Sequence, residues 1–421
     1  MNSSAPDRDV APIHDFTRKL LQPAARPVVL EYLQWRRAVR AAKATGASEP
    51  PLPESGPLSI NLDLTTACNY ACDHCIDWEA LNIAVKHEEQ ELRDAMKGLK
   101  KRGLRSVILI GGGEPTLYPG FGEFVRFLKS LDLQVAVVTN GSRNDKIAEV
   151  ADCFTQGDWV RLSLDAGSDE TFQAMHHPKG RGIGLDEICR SAATIKEANP
   201  AVQLGFSFVI TWNGSEREEG AQVIENLHEM QSASRRAKEA GFDYISFKPF
   251  LQRGGEGAEI LDPSQAEAEH ARLISDIRAG LEASAALSDE TFRVVESINL
   301  RVFLDGSWEQ YTRQPQVCHM QALRQVVSPL GVYNCPAHRG VGKARISDKD
   351  GWSADMFSEG QPPDAAAGTA AILDRFDASV ECRQVTCLYH SVNHFLEGVV
   401  SAPGPLDDLL PQVDQELDLF L

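Results

Sequence analysis

Six short apolar runs, each separated from the next by helical or loop sequence, constrain this chain more than any other feature. They read LSINLDL at 58–64, LRSVILI at 104–110, LQVAVVT at 133–139, WVRLSL at 159–164, VQLGFSFVI at 202–210 and DYISFK at 243–248. Between them lie helix-patterned stretches such as EEQELRDAMKGLKKRG and EREEGAQVIENLHEMQSASRRAKEAG. Strands that alternate with helices form a parallel sheet, so the fold class is α/β, as a partial barrel or an open doubly wound sheet. In both forms, sites are built at the C-terminal strand ends. The unusual residues fall there: a cysteine loop after the first run, GGGEPT after the second, NGS after the third and DAGSD after the fourth.

The cysteine loop, TTACNYACDHCID at 65–77, carries Cys68, Cys72 and Cys75 as C-x3-C-x2-C. Three thiols are one short of the four that structural zinc sites and most iron–sulfur clusters use. His74 could complete a Cys3His zinc set, but it adjoins Cys75, and neighbouring residues rarely reach one small ion at tetrahedral angles. An iron–sulfur cluster on three cysteines leaves one iron open, and an open position is how a metal site becomes catalytic. The fourth ligand should then be a small molecule.

C-x3-C-x2-C directly after a first strand, with Gly-Gly-Glu-Pro after the second, resembles the radical S-adenosylmethionine (SAM) superfamily over about residues 58–250. The resemblance implies a partial (β/α)6 TIM-type barrel in which Cys68, Cys72 and Cys75 hold a [4Fe–4S] cluster whose fourth iron is chelated by SAM. It further implies reductive cleavage of SAM to a 5′-deoxyadenosyl radical that abstracts hydrogen from a substrate, the protein's own work being to place the cofactors. By the same likeness the cofactor-binding residues are Gly112, Gly113, Glu114 and Pro115, Thr139 and Asn140 at the end of strand three, Ser163 and Asp165 at the end of strand four, and His74 near the adenine. Glu114 can accept from an ammonium group, and the glycines permit close backbone approach. Lys179 and Arg181 are further candidates for the SAM carboxylate.

Four more cysteines, Cys318, Cys335, Cys382 and Cys387, lie in the C-terminal part. The first two bracket RQVVSPLGVYNC, 324–335, which reads as a β-hairpin; the last two form a C-x4-C pair. Four thiols can close a structural zinc site or a second cluster. Downstream of such a barrel they resemble the twitch domain, a short relative of SPASM, which implies a small C-terminal α+β domain holding one auxiliary [4Fe–4S] cluster. The C-x4-C spacing is wider than that pattern's close pair. The expected divisions are therefore 1–57, a helical extension with a Pro-rich linker; 58–255, the barrel; and 256–421, the auxiliary-cluster domain. A helix is expected over 264–283, and GQPPDAAAGTA at 360–370 is loop-like.

The net charge of −18 argues against nucleic acid or an anionic membrane as partner. No apolar run approaches membrane-span length, and the start, MNSSAPDRDVAPIHDF, lacks a signal-peptide plan, so a cytoplasmic location is expected. There the nine cysteines should be thiols or ligands rather than disulfides. Twitch-bearing enzymes of similar layout act on aminocyclitols and aminoglycosides, which implies a small polar substrate such as a sugar or aminosugar, undergoing oxidation, epimerisation or dehydration. The alternative is a maturase that modifies a ribosomally made peptide. A reductant such as flavodoxin or ferredoxin is the implied protein partner. Candidates for a base are Lys248, Arg253 and His270, Lys248 needing burial to depress its pKa; Cys153 or Cys189 could donate a hydrogen atom, though a helix thiol such as Cys189 is more often packing.

Overall fold

The computed structural model describes residues 15–180, 182–217, 221–254, 257–261, 270–353 and 362–421. All six runs form strands: β1 (Ser59–Leu62), β2 (Ser106–Leu109), β3 (Gln134–Thr139), β4 (Trp159–Ser163), β5 (Gln203–Ile210) and β6 (Tyr244–Pro249). They pair in parallel in chain order, β1 to β6. Helices cover the outer face. Leu92, Ala95, Met96 and Leu99 of helix Glu89–Lys101, and Leu185, Ile188, Ala192 and Ile195 of helix Leu185–Ala198, recur at three and four residues and are buried. Cys189 shares the second of these stripes and belongs to the core.

The sheet does not stop at residue 255. β7 (Arg293–Glu296) adds in parallel beside β6, and β8 (Arg324–Ser328) adds in parallel beside β1. The expected hairpin is present: β8 turns into β9 (Gly331–Tyr333), and β10 (Arg345–Ser347) completes an antiparallel trio. The ten strands run β7-β6-β5-β4-β3-β2-β1-β8-β9-β10. Open edges of β1 and β6 would leave unpaired backbone groups, and segments of the C-terminal half cover both.

Two local expectations are corrected. The stretch 216–241 is not one helix. Glu216–Arg217 pairs with Ala221–Gln222 as a short ribbon, and the helix proper is Met230–Glu239. Residues 360–370 read as loop in the sequence, yet helix Asp364–Arg375 begins inside them. Its alanines favour helix more than the preceding Gly and Pro residues disfavour it, and Pro363 with Asp364 suits a helix start. The helix expected over 264–283 is observed as His270–Ala285, with 262–269 outside the described residues.

The N-terminal helix Arg26–Thr45 packs on helix His390–Ser401 near the other chain end. Val29 and Leu33 face the contact, Arg40 pairs with Glu397 at 2.9 Å, and Gly46 (φ +69°) ends the helix in the left-handed region. The last residues close the lower mouth of the barrel. Ser106 Oγ donates to the Leu419 carbonyl at 2.7 Å, and Leu419 N–H donates to Gln134 Oε1 at 2.7 Å. Phe420, 2% exposed, packs edge-on against Trp159 and between Ile108 and Ala136. Phe420→Ala should cost about 3 kcal/mol through lost burial and the cavity left behind, read as a lowered denaturation midpoint at unchanged slope.

Candidate functional site

The cysteine loop is fixed from two sides. On one, Ala71 and Asp73 N–H donate to the carbonyls of His176 and Met175 at 3.1 and 3.0 Å, so the loop satisfies the free C-terminal end of helix Asp169–His176. Cys75 N–H turns back to the Cys72 carbonyl at 3.2 Å, and Cys68 N–H donates to Asn82 Oδ1 at 3.0 Å. On the other side lies the loop after β2. Glu114 N–H donates to the Ala67 carbonyl at 2.8 Å. A Cβ on Gly113 would stand 2.5 Å from the Thr65 carbonyl oxygen and 2.6 Å from that of Ala67; one on Gly112 (φ +60°) would stand 2.9 Å from Asp63 Oδ2. In this geometry the glycines serve the approach of two loops to each other.

Glu114 gathers the expected strand-end residues. Its Oε1 accepts from Thr116 Oγ1 at 2.6 Å and Thr139 Oγ1 at 2.7 Å, and its Oε2 accepts from Asn140 N–H at 2.7 Å. Asn140 Nδ2 continues to Asn69 Oδ1 at 2.9 Å, inside the cysteine loop. Pro115 opens a short 3-10 turn, Pro115–Leu117. Burial pushes the Glu114 carboxyl up, opposed by these hydrogen bonds. Among the described residues Oε2 has one donor, and so it keeps acceptor capacity for a ligand ammonium.

Across the lumen, Asp165 is 1% exposed and held at φ +51°, a left-handed conformation rare outside glycine. Its Oδ1 accepts Val209 N–H at 2.7 Å, and its Oδ2 faces His74 Nε2 at 3.1 Å and His176 Nε2 at 3.5 Å. His176 Nε2 lies 3.0 Å from the Leu164 carbonyl, so it carries the ring proton and Nδ1 accepts; Cys72 Sγ lies 3.1 Å from Nδ1. Burial lowers the His176 pKa to about 4. His74, Asp165 and His176 place ligand atoms within 4.8 Å of one another. Because this group touches Cys72, it is part of the same site and not a second centre. Burial, and then the neighbouring Cys75 and Cys68, push the Cys72 thiol well up; burial with Asp77 takes Cys75 to about 12. Grouped on one loop, Cys68, Cys72 and Cys75 could ligate one metal centre, whose binding would supply the charge that removes their protons.

The C-terminal half contributes a residue that the sequence reading missed. Arg339, four positions after Cys335, is buried and bridges two carboxylates of the first loop: Asp63 Oδ2 at 3.3 Å and Asp77 Oδ2 at hydrogen-bond distance. Gly111 (φ +73°) is bare where the guanidinium passes. Arg253, a base candidate, joins this group instead: its Nε donates to the Ile76 carbonyl at 2.9 Å and its Nη2 faces Asp77 Oδ1 at 3.4 Å. A residue pairing through space across about 260 positions leaves no local spacing signal.

Cys318, Cys335, Cys382 and Cys387 line one cleft together with Asn393, whose Nδ2 donates to Cys318 Sγ at 3.1 Å. All four are free thiols. Burial pushes each thiol up, and the charges of neighbouring cysteines add to it for Cys335, Cys382 and Cys387. The four could therefore share one metal centre. Among the remaining candidates, Lys248 Nζ lies in the lumen 3.2 Å from Ser207 Oγ, and Ser163 stands beside Ser207 in register. Cys153 precedes β4, at the opposite end of the sheet, with its thiol on the Val150 carbonyl at 2.9 Å. Lys179 N–H donates to the Asn69 carbonyl at 2.8 Å, and Arg181 lies outside the described residues. The His270 ring packs edge-on against Phe303 and Trp308. No helix among the described residues is long and apolar enough to cross a membrane.

Residues 62–225 match the radical SAM superfamily. Over 332 residues the chain is 25% identical to the mycofactocin maturase MftC of Mycolicibacterium smegmatis, a match covering 76% of each protein. It is 29% identical over 153 residues, 36% of this chain, to an S-adenosylmethionine-dependent nucleotide dehydratase of a Thermoplasmatales archaeon, of which it spans 52%. The fold is similar to that of Streptococcus suis SuiB bound to S-adenosylmethionine, with a TM-score of 0.51 and 13% identity over 79% of this chain and 71% of SuiB.

The Arg339 bridge yields a test. Arg339→Leu leaves Asp63 buried without its cation and Asp77 with Arg253 alone, and removing one partner of a buried ion pair costs about 3–5 kcal/mol. We expect a loss of that size in chemical denaturation. Arg345→Leu, whose partner Asp348 is exposed, should by contrast change stability by less than about 1 kcal/mol.

Proposed function

Residues 62–225 belong to the radical SAM superfamily and the chain is a SAM-cleaving enzyme, and on that premise we propose that it is a maturase acting on a ribosomally made peptide. The observation that carries this reading is the match to the mycofactocin maturase, which spans 76% of both chains and is too long to be confined to residues 62–225. The nucleotide dehydratase match covers only 36% of this chain, and no relative reported above is a sugar-modifying enzyme, so the peptide alternative moves ahead of the sugar expectation.

In this reading Cys68, Cys72 and Cys75 hold a [4Fe–4S] cluster at the barrel mouth. Glu114 accepts the ammonium of SAM through Oε2, with Thr139 and Asn140 fixing the carboxylate in place. Asp165 and His74 form the opposite wall. Cluster and SAM together supply the 5′-deoxyadenosyl radical that abstracts a substrate hydrogen. Cys318, Cys335, Cys382 and Cys387 hold an auxiliary [4Fe–4S] cluster, whose role is to take or pass an electron, and a flavodoxin or ferredoxin reduces the enzyme. What the chain itself does is orient SAM between two loops and hold the two thiol groups in fixed relation through Arg339.

Anaerobic reconstitution should give about eight irons per chain, falling to about four when Cys68, Cys72 and Cys75 are replaced together. Cys72→Ala should abolish 5′-deoxyadenosine formation while near-ultraviolet circular dichroism stays intact. The peptide reading is tested by co-expressing the enzyme with short open reading frames encoded beside its gene and measuring peptide mass. A mass change dependent on Cys72 supports it. Turnover of an aminosugar panel, with all peptides unchanged, would return the sugar reading to first place.

A further inference from the structure

The lumen holds two cations that the proposed chemistry does not use, Arg161 below Asp165 and Lys248, whose backbone is in register with Val209 beside Asp165 and whose Nζ reaches down to Ser207. Val160 and Leu162 of β4 are fully buried under the outer helices, so Arg161 between them faces inward. Ile245 and Phe247 of β6 do the same for Lys248, whose Nζ donates to Ser207 Oγ on β5 at 3.2 Å. Arg161 lies over the Trp159 ring at 5.1 Å, and its buried Nε has no hydrogen-bond partner. Among the described residues no carboxylate forms an ion pair with either side chain. Among the described residues Asp165 is the carboxylate whose charge acts on both, and both its oxygens are engaged, by Val209 N–H and by His74. Burial lowers the pKa of both Arg161 and Lys248, and for Lys248 the Arg161 charge adds to it. Both side chains are half-buried in the lumen, and cations desolvated there without an ion-pair partner are stabilised by a ligand anion.

Resting on the peptide reading, we propose that Arg161 from below and Lys248 from the facing wall line the floor end of the substrate site and bind a carboxylate of the peptide. The SAM carboxylate does not fit this place. It is attached to the same carbon as the ammonium assigned to Glu114 at the C-terminal end of β2, whereas Arg161 sits midway down β4, two strands along, and Lys248 on β6, four strands along, at about 4.8 Å each. A substrate carboxylate on the floor sends the rest of the molecule upward past Ser163 and Asp165 to Cys72. Arg161 lies four residues below Asp165 on one chain, a rise of about 13 Å before its own side chain reaches upward. The reacting carbon is therefore within about one to three residues of that carboxylate, since an extended residue spans about 3.5 Å.

The test is equilibrium binding to the iron-loaded protein with SAM and without reductant, read by saturation-transfer NMR. The probes are N-acetylglycine and its neutral isostere N-acetylglycinamide. The acid should bind at least tenfold tighter than the amide. Arg161→Gln and Lys248→Met should each remove most of that preference while the affinity for SAM, measured by equilibrium dialysis, stays within twofold. Equal binding of acid and amide to the unaltered protein overturns the proposal without reference to any variant. A fall in SAM affinity matching the loss of the acid also overturns it, by assigning the cations to SAM. Because nothing is turned over, a carboxylate preference would survive failure of the maturase reading, and an active maturase with no such preference would refute the floor alone.

Discussion

Gly113 passes beneath the carbonyls of Thr65 and Ala67 with no room for a methyl group, and the Glu114 N–H bonds to Ala67 from the same position. That contact joins the loop after β2 to the cysteine loop after β1. From it the remaining site follows. With Glu114 anchored there, its carboxylate meets Thr139 and Asn140 at the end of β3, and Asn140 returns to Asn69 between the first two cysteines. Three consecutive strand ends are thus locked around one carboxylate. Side chains on 112 or 113 would separate the loops, and the cysteines would lose their fixed spacing before any metal chemistry was affected.

The second half of the chain is tied to the same place. β8 lies against β1, the strand from which the cysteine loop departs, and β9 leads directly to Cys335. Arg339 then reaches back to Asp63 and Asp77, on either side of the first three cysteines. Burial pushes the Asp63 carboxyl up to about 7, and the guanidinium opposes it; Arg339 itself is held in its charged form by the carboxylates around it. Such a pair adds little net stability over an apolar substitute, but it permits one relative arrangement of the two loops. That is what two redox centres in one chain would require of the protein.

Strand existence and order were legible because each run is a short, dense apolar stretch, and the cysteines and Gly-Gly-Glu stand at strand ends where topology makes them conspicuous. Three kinds of feature were not legible. The continuation of the sheet into β7 and β8 depends on pairing between segments far apart in sequence. The ribbon at Glu216–Arg217 was hidden because acidic and basic residues there look helical, and its partner is the short pair Ala221–Gln222. Helix Asp364–Arg375 was obscured by Gly and Pro immediately before it. At the site, His176 was unpredictable because it reaches Cys72 from the end of a helix about a hundred residues on, and Arg161 was unremarkable inside a strand until alternation placed it in the lumen.

The charges in that lumen matter because the lumen is closed below. The tail residues Leu419 to Leu421 bond to Gln134, Ser106 and Ser59 at the N-terminal strand ends, and Phe420 covers Trp159, on whose face Arg161 rests. Were this end open, water would reach the guanidinium and screen it, and the preference for an anion would shrink toward its value in a high dielectric. With Phe420 on Trp159, the N-terminal end of the lumen is covered by apolar side chains. A molecule that enters between Asp165 and the thiol loop and reaches Arg161 would lie alongside Cys72, so the apolar plug at one end of the barrel and the cysteine loop at the other would together set which part of a substrate comes to rest there.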